Sequence, residues 1–154
     1  VEKMRKPEII LTPLIALLVL TLVSALNSFA GSDFITIDTD QLHSMIIDNA
    51  YRLEGGREKQ FAVIDTRTKE EYDEAHIFSA TSIPEKNFEK TMSCLPKDKG
   101  ILLTVYCNDL KYDTCKRWAD KAAEAGYSNI VIYSERFSFW KKNKMPIAPF
   151  RNDP

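Results

Sequence analysis

The sequence predicts an α/β fold: a central parallel sheet of about five strands with helices on both faces. Two observations carry this expectation. From Phe34 onward, short apolar runs alternate with stretches in which apolar residues recur at helical intervals. The helical stretches also carry start and stop residues, Asp38 and Gly126 among them.

The elements follow in order. Phe34-Ile35-Thr36-Ile37 reads as the first strand. Asp38 and Gln41 stand at capping-box spacing, and Leu42, Met45 and Ile46 recur behind them as one face of a helix. Phe61-Ala62-Val63-Ile64 is the second strand, and Lys69 to Glu74 a short charged helix. Ala80 to Ile83 is the third strand, stopped by Pro84, and Asn87 to Ser93 is helical again. Ile101 to Tyr106 is the fourth strand; the helix Thr114 to Ala125 ends at Gly126, and Asn129 to Tyr133 is the fifth strand. In such sheets ligands sit beyond the carboxyl ends of the strands, and Cys107 directly follows the fourth.

Composition narrows the function. The 154 residues carry 21 Lys and Arg against 22 Asp and Glu, so neither a nucleic acid nor an anionic membrane surface is indicated as partner. Lys3, Arg5 and Lys6 precede an apolar run from Ile9 to Leu26, and Ser28-Phe29-Ala30 offers a cleavage site, the pattern of an export signal. A run of roughly 18–20 apolar residues also just spans a bilayer, so an uncleaved anchor over residues 9–26 is the rival reading. The expected organisation is a signal peptide or anchor over residues 1–30, one domain over 34–147 and a tail over 148–154. The expected location is the periplasm or cell envelope, with membrane attachment only if the leader stays uncleaved. Cys94, Cys107 and Cys115 make an odd number, so at least one thiol of an exported chain is free or partnered elsewhere.

A thiol is a weak nucleophile until ionised. A helix N-terminus favours the thiolate, and the N–H groups of a tight strand-to-helix loop can surround an anion. Cys107 is placed for both effects, although a cysteine at a strand end can equally be a small buried hydrophobe. His43 has no carboxylate or cysteine at ligand spacing, which argues against a metal site. Cys94 reads as a packed small residue, and Phe139 and Trp140 as core.

The segment Val63-Ile64-Asp65-Thr66-Arg67-Thr68-Lys69-Glu70-Glu71-Tyr72, continuing through His76-Ile77, Ala80 and Ile83-Pro84, resembles the hallmark segment of rhodanese-like domains. Leu103-Thr104-Val105-Tyr106-Cys107, Ala123-Glu124-Ala125-Gly126-Tyr127 and Trp140 are similar to that family's catalytic strand, loop helix and late tryptophan. The resemblance covers roughly Ile35 to Pro146 and implies a rhodanese-like fold. It also implies a sulfurtransferase needing no cofactor, in which Cys107 carries a sulfane sulfur as a persulfide. The donor would be thiosulfate, polysulfide or a protein persulfide. Arg67 matches a family arginine that can line the donor pocket, with an ion pair to Asp65 or a helix acid as its other reading. The loop residues Asn108, Asp109, Leu110, Lys111, Tyr112 and Asp113 would surround the donor.

This loop departs from the family pattern. It contains no glycine and only one cation, Lys111, while Asp109 and Asp113 add negative charge and Asp113 is expected to cap the helix. Asn108 and Asp109 are the residues expected to supply any left-handed backbone. Cys115, in the first turn of the helix, either faces the sheet or resolves a persulfide or disulfide on Cys107. Two functions therefore stand: a sulfurtransferase with a weakened thiosulfate site, or a non-catalytic rhodanese-fold module that binds a partner protein or small anion. A cysteine phosphatase or arsenate reductase would need an arginine where Asp113 stands.

Overall fold

The computed structural model describes residues 34–56, 58, 60–108 and 112–149. The expected leader over residues 1–30, with its candidate anchor, lies outside them. In chain order the elements are β1 (Ile35–Ile37), α1 (Thr39–Glu54), β2 (Phe61–Asp65), α2 (Lys69–Glu74), β3 (His76–Ile77) and β4 (Thr81–Ser82). They continue with α3 (Phe88–Thr91), β5 (Leu102–Tyr106), α4 (Asp113–Glu124), β6 (Ile130–Tyr133), α5 (Phe137–Lys142) and β7 (Ile147–Ala148). Short 3₁₀ turns flank α3, so the stretch read as one helix is three short pieces.

The five strands β1, β6, β5, β2 and β4 form one sheet in that order, and every neighbouring pair is parallel. The central strand β5 pairs Leu103 with Ala62 on one side and with Ile130 on the other. Because side chains alternate along a strand, each face collects its own core. Ala62, Ile64, Leu103, Val105, Ile130 and Ile132 meet Trp118, Ala119 and Ala122 of α4. Phe61, Val63, Tyr106 and Tyr133 meet Leu42 and Ile46 of α1 and Phe137 and Trp140 of α5. Burial of one large apolar side chain contributes about 1.5–3 kcal/mol. The stripe Cys115, Trp118, Ala119 and Ala122 therefore fixes α4 more firmly than the helix's own propensity does. Trp118 is fully buried, and its Nε1 donates to the carbonyl of Ile83 at 2.9 Å.

The capping box of α1 forms as the sequence predicts, with Asp38 accepting from the Gln41 amide at 2.9 Å and Gln41 Oε1 accepting from the Asp38 amide at 2.9 Å. Gly126, at φ 96°, closes α4 with amide bonds from Gly126 to Ala123 O and from Tyr127 to Ala122 O. Two features were not foreseen. One is α5, whose N-cap Arg136 supplies no capping side chain. The other is a separate antiparallel ribbon of β3 and β7, in which Ala148 pairs with His76 although the sequence places it at the start of a tail.

Candidate functional site

Cys107 follows the last residue of β5, is 3% exposed, and shares its sheet face with Val105. Alternation along β5 therefore turns its side chain toward α4, where Cys115 lies in the first turn. The two are joined in a disulfide, with Cα atoms 5.8 Å apart across 8 positions of sequence. Cys115 is fully buried. Asp109, Leu110 and Lys111, between them, lie outside the described residues.

The entrance to α4 differs from the expectation in one respect. Its N-cap is Tyr112, in the left-handed region at φ 56°, with no side-chain cap, and Asp113 is the first helical residue, exposed to solvent. A left-handed tyrosine is costly to place, and it is held here by its hydroxyl, which donates to the carbonyl of Ser134. The aromatic ring also packs against the core beneath α4. Asn108 does not take a left-handed conformation. Its Nδ2 instead donates to Glu71 Oε1 at 2.8 Å, while Glu71 Oε2 accepts from the Thr68 amide at 3.0 Å in the capping box of α2.

Arg67 is committed to Asp65. Its Nε donates to Asp65 Oδ1 at 3.0 Å and its Nη2 to Asp65 Oδ2 at 2.7 Å, with a further bond from Nη2 to the Ala75 carbonyl at 2.7 Å. The guanidinium lies 4.0 Å from the Phe137 ring centroid, and its side chain is 4% exposed. Of the two readings of Arg67, the geometry is that of the Asp65 ion pair. Burial by itself would lower the Arg67 pKa, but the bonds to Asp65 outweigh it and the net shift is upward. Tyr106 donates its hydroxyl to the same carboxylate and accepts from the Ile77 amide at 3.1 Å. Burial, then the charge of Asp65, pushes the Tyr106 pKa well above its ordinary value.

Cys107 opens on a cavity of about 420 Å³ beyond the carboxyl ends of β2 and β5, which Arg67 and Asn108 also line. The cavity draws further cations from elements the sequence reading did not connect to the site: Lys69 of α2, Lys86 after β4, and Arg117 of α4. Glu70, Glu71 and Glu85 balance them. Arg117 Nε stands 3.6 Å from Glu85 Oε1, and its Nη2 donates to Thr114 Oγ1 at 3.3 Å. Lys121 Nζ lies 3.1 Å from the same Glu85 oxygen. One signal for Arg117 was available: it follows Thr114 by three residues and so lies on the edge of α4 that faces the loop. Tyr112 lines a different pocket, with Ser134, Glu135, Arg136 and Phe139.

The other singled-out residues fall outside the cavity. Cys94 is a free, exposed thiol and not a packed one. Trp140 is fully buried as expected, whereas Phe139 is 41% exposed because it lies on the outer side of α5. His43 packs edge-on against Trp140 at 6.2 Å, and His76 stacks on Tyr72 at 3.7 Å.

The family model described as the rhodanese-like domain matches residues 39–143. An uncharacterized protein of Buchnera aphidicola subsp. Schizaphis graminum is 25% identical over 112 residues, 72% of this chain and 74% of that protein. Among solved structures, the rhodanese-like domain of an Anabaena protein aligns with a TM-score of 0.54 at 23% identity, covering 77% of this chain and 87% of that one. A thiosulfate sulfurtransferase of Pseudomonas aeruginosa aligns with a TM-score of 0.58 at 16% identity, covering 74% of this chain and 20% of that one.

Proposed function

The chain belongs to the rhodanese-like domain family, and from that premise we propose that it moves sulfane sulfur through a persulfide on Cys107. The observation that carries the reading is the position of Cys107, at the carboxyl end of the central strand and on the wall of a cavity that also holds Lys69, Lys86 and Arg117. Thiol reduction of the Cys107–Cys115 bond by an external thiol is the first requirement, because a disulfide sulfur cannot act as nucleophile. The freed Cys107 thiolate attacks the terminal sulfane sulfur of the donor. The donor's S–S bond breaks, and its electron pair leaves on sulfite or on the shortened polysulfide. An acceptor nucleophile then takes the outer sulfur and Cys107 regains its thiolate.

Donor binding falls to the cavity's rim cations, since Arg67 already bonds to Asp65. Glu70, Glu71 and Glu85 balance those cations, which weakens capture of the sulfonate-like oxyanion of thiosulfate, so polysulfide or a protein persulfide is the preferred donor. The basic residues Lys3, Arg5 and Lys6 and the apolar run of residues 9–26 support the cell envelope as the place of this chemistry.

The alternative is a non-catalytic module that binds a partner protein or small anion. The disulfide on Cys107 and the internal pairing of Arg67 favour it. One experiment separates the two readings. The reduced, desalted chain is incubated with thiosulfate or polysulfide and its peptides are mapped by mass. A gain of one sulfur atom on the Cys107 peptide, absent in Cys107→Ser, is expected. No sulfur on Cys107 from either donor, in the wild type or in Cys115→Ser, where no neighbouring thiol removes it, would leave the non-catalytic module as the better reading.

A further inference from the structure

We infer that Cys107 and Cys115 together perform a second chemistry: they reduce the bound sulfane sulfur and release it as hydrosulfide, closing their disulfide in the process. The inference rests on the persulfide reading of Cys107 and extends it from transfer to reduction.

The geometry supplies three parts of the argument. Cys115 already sits at bonding distance from Cys107, with Cα atoms 5.8 Å apart, so it reaches the inner sulfur of a Cys107 persulfide. The outer sulfur would lie toward the cavity that Cys107 lines, from which a leaving group can depart. Cys115 itself is fully buried, so its reachable electrophile is its neighbour and not a donor in solution.

The step balances without an added oxidant. The Cys115 sulfur attacks the Cys107 Sγ, a new S–S bond forms, and the persulfide S–S bond breaks. The electron pair and the Cys115 proton leave with the outer sulfur as hydrosulfide. The two cysteine sulfurs are oxidised by two electrons in all, and the sulfane sulfur is reduced by two. Hydrogen sulfide is a stronger acid than an alkyl thiol, so hydrosulfide is the less basic leaving group, which favours its departure. An intramolecular thiol also acts at an effective concentration that a dilute acceptor does not match. The cycle then needs a dithiol reductant. Its thiolate enters through the cavity and attacks Cys107, and Cys115 leaves as the buried thiolate. The partner class is therefore a dithiol protein of the thiol–disulfide exchange type, and dithiothreitol is its laboratory stand-in.

The test uses the full chain, reduced, desalted and mixed with sodium tetrasulfide, with samples alkylated at intervals and mapped by mass. After a second desalting, released sulfide is measured. In the wild type, persulfide on Cys107 is transient, and its decay is matched by sulfide release and by a Cys107–Cys115 disulfide. In Cys115→Ser and Cys115→Ala, the persulfide forms and persists, with loss of sulfide release. A wild-type persulfide as long-lived as that of the variants, with no sulfide, would overturn the reductive step while leaving the transfer reading intact. The wild-type time course decides this even if a variant at the buried position folds poorly. Absence of any Cys107 persulfide, in every form, would overturn both.

Discussion

Arg67 and Asp65 form a buried, chelated ion pair at the carboxyl end of β2: the guanidinium donates from Nε and Nη2, and the backbone amide of Arg67 is a third donor, to Asp65 Oδ1 at 2.9 Å. With Tyr106 donating to the same carboxylate, this cluster ties the β2 loop to the strand that presents Cys107. Two further bonds do the same work, from the Thr66 amide and hydroxyl to the Tyr106 carbonyl. Removing one member of a buried pair leaves the other charge without a partner, at a cost of about 3–5 kcal/mol. Arg67→Ala and Asp65→Ala are each expected to lose about that much in urea unfolding, and the double variant less than the sum. The folded fraction of Arg67→Lys should load sulfur onto Cys107 at nearly the wild-type rate. A full-stability Arg67→Lys that fails to capture donor would instead make Arg67 a donor ligand.

Glu85 pairs with two cations of α4, one of which, Arg117, lines the cavity. Its Oε1 lies 3.6 Å from Arg117 and 3.1 Å from Lys121, and its side chain is only 14% exposed. Glu85→Gln keeps the shape but releases Arg117 from its carboxylate, while Lys121 keeps the Glu85 carbonyl and Glu89, so thiosulfate should load Cys107 at lower concentration. Arg117→Ala should move the half-loading concentration the opposite way, by about tenfold if one charge-assisted contact is worth about 1.4 kcal/mol. Both effects should shrink as salt is raised, because Arg117 is largely exposed. Equal loading curves for wild type, Glu85→Gln and Arg117→Ala at low salt would remove these residues from donor binding.

The sheet and its order of strands were legible because long apolar runs and capping residues report on local physics. The two ends of α4 and α5 show where that legibility stops. At the end of α4 a glycine adopts the left-handed conformation, as its lack of a Cβ allows, and the stop is readable from one letter. At the end of α5 the same closure forms with Lys144 in that role at φ 56°, with amide bonds from Lys144 to Lys141 O at 3.0 Å and from Met145 to Trp140 O at 3.2 Å. Lysine carries no such signal, and α5 went unseen. The site divides in the same way. Cys107 and Arg67 stand out along the chain, whereas Lys86 and Arg117 reach the cavity only through folding.

Lys144 is exposed, so replacing it with glycine removes the left-handed strain and little else. Glycine also loosens the unfolded chain, which offsets part of the gain. Lys144→Gly should therefore stabilise the domain by about 0.5–1 kcal/mol in urea unfolding, with sulfur loading unchanged. A loss of stability would mean that the lysine side chain contributes more than its backbone costs.

The tyrosine beside Cys107 is expected to set the alkaline limit of stability. Tyr106 has its pKa pushed well above the ordinary value, first by burial and then by the Asp65 charge, and burial also raises Tyr133 and Tyr72. In the unfolded chain these hydroxyls lose their protons near pH ~10. Above that pH the folded state holds more protons than the unfolded one, so stability falls as pH rises; below it, these groups contribute no slope. Each such tyrosine contributes about 1.4 kcal/mol per pH unit between its unfolded and folded values. Unfolding free energies measured from about pH 8 to 11 should therefore bend downward near pH ~10. Tyr106→Phe should be less stable at neutral pH, since Asp65 loses a donor, yet its decline above pH ~10 should be shallower by about one proton. An unchanged alkaline slope in Tyr106→Phe would show that Tyr106 is not one of the protons the folded state retains, and that the bond to Asp65 does not hold its hydroxyl protonated.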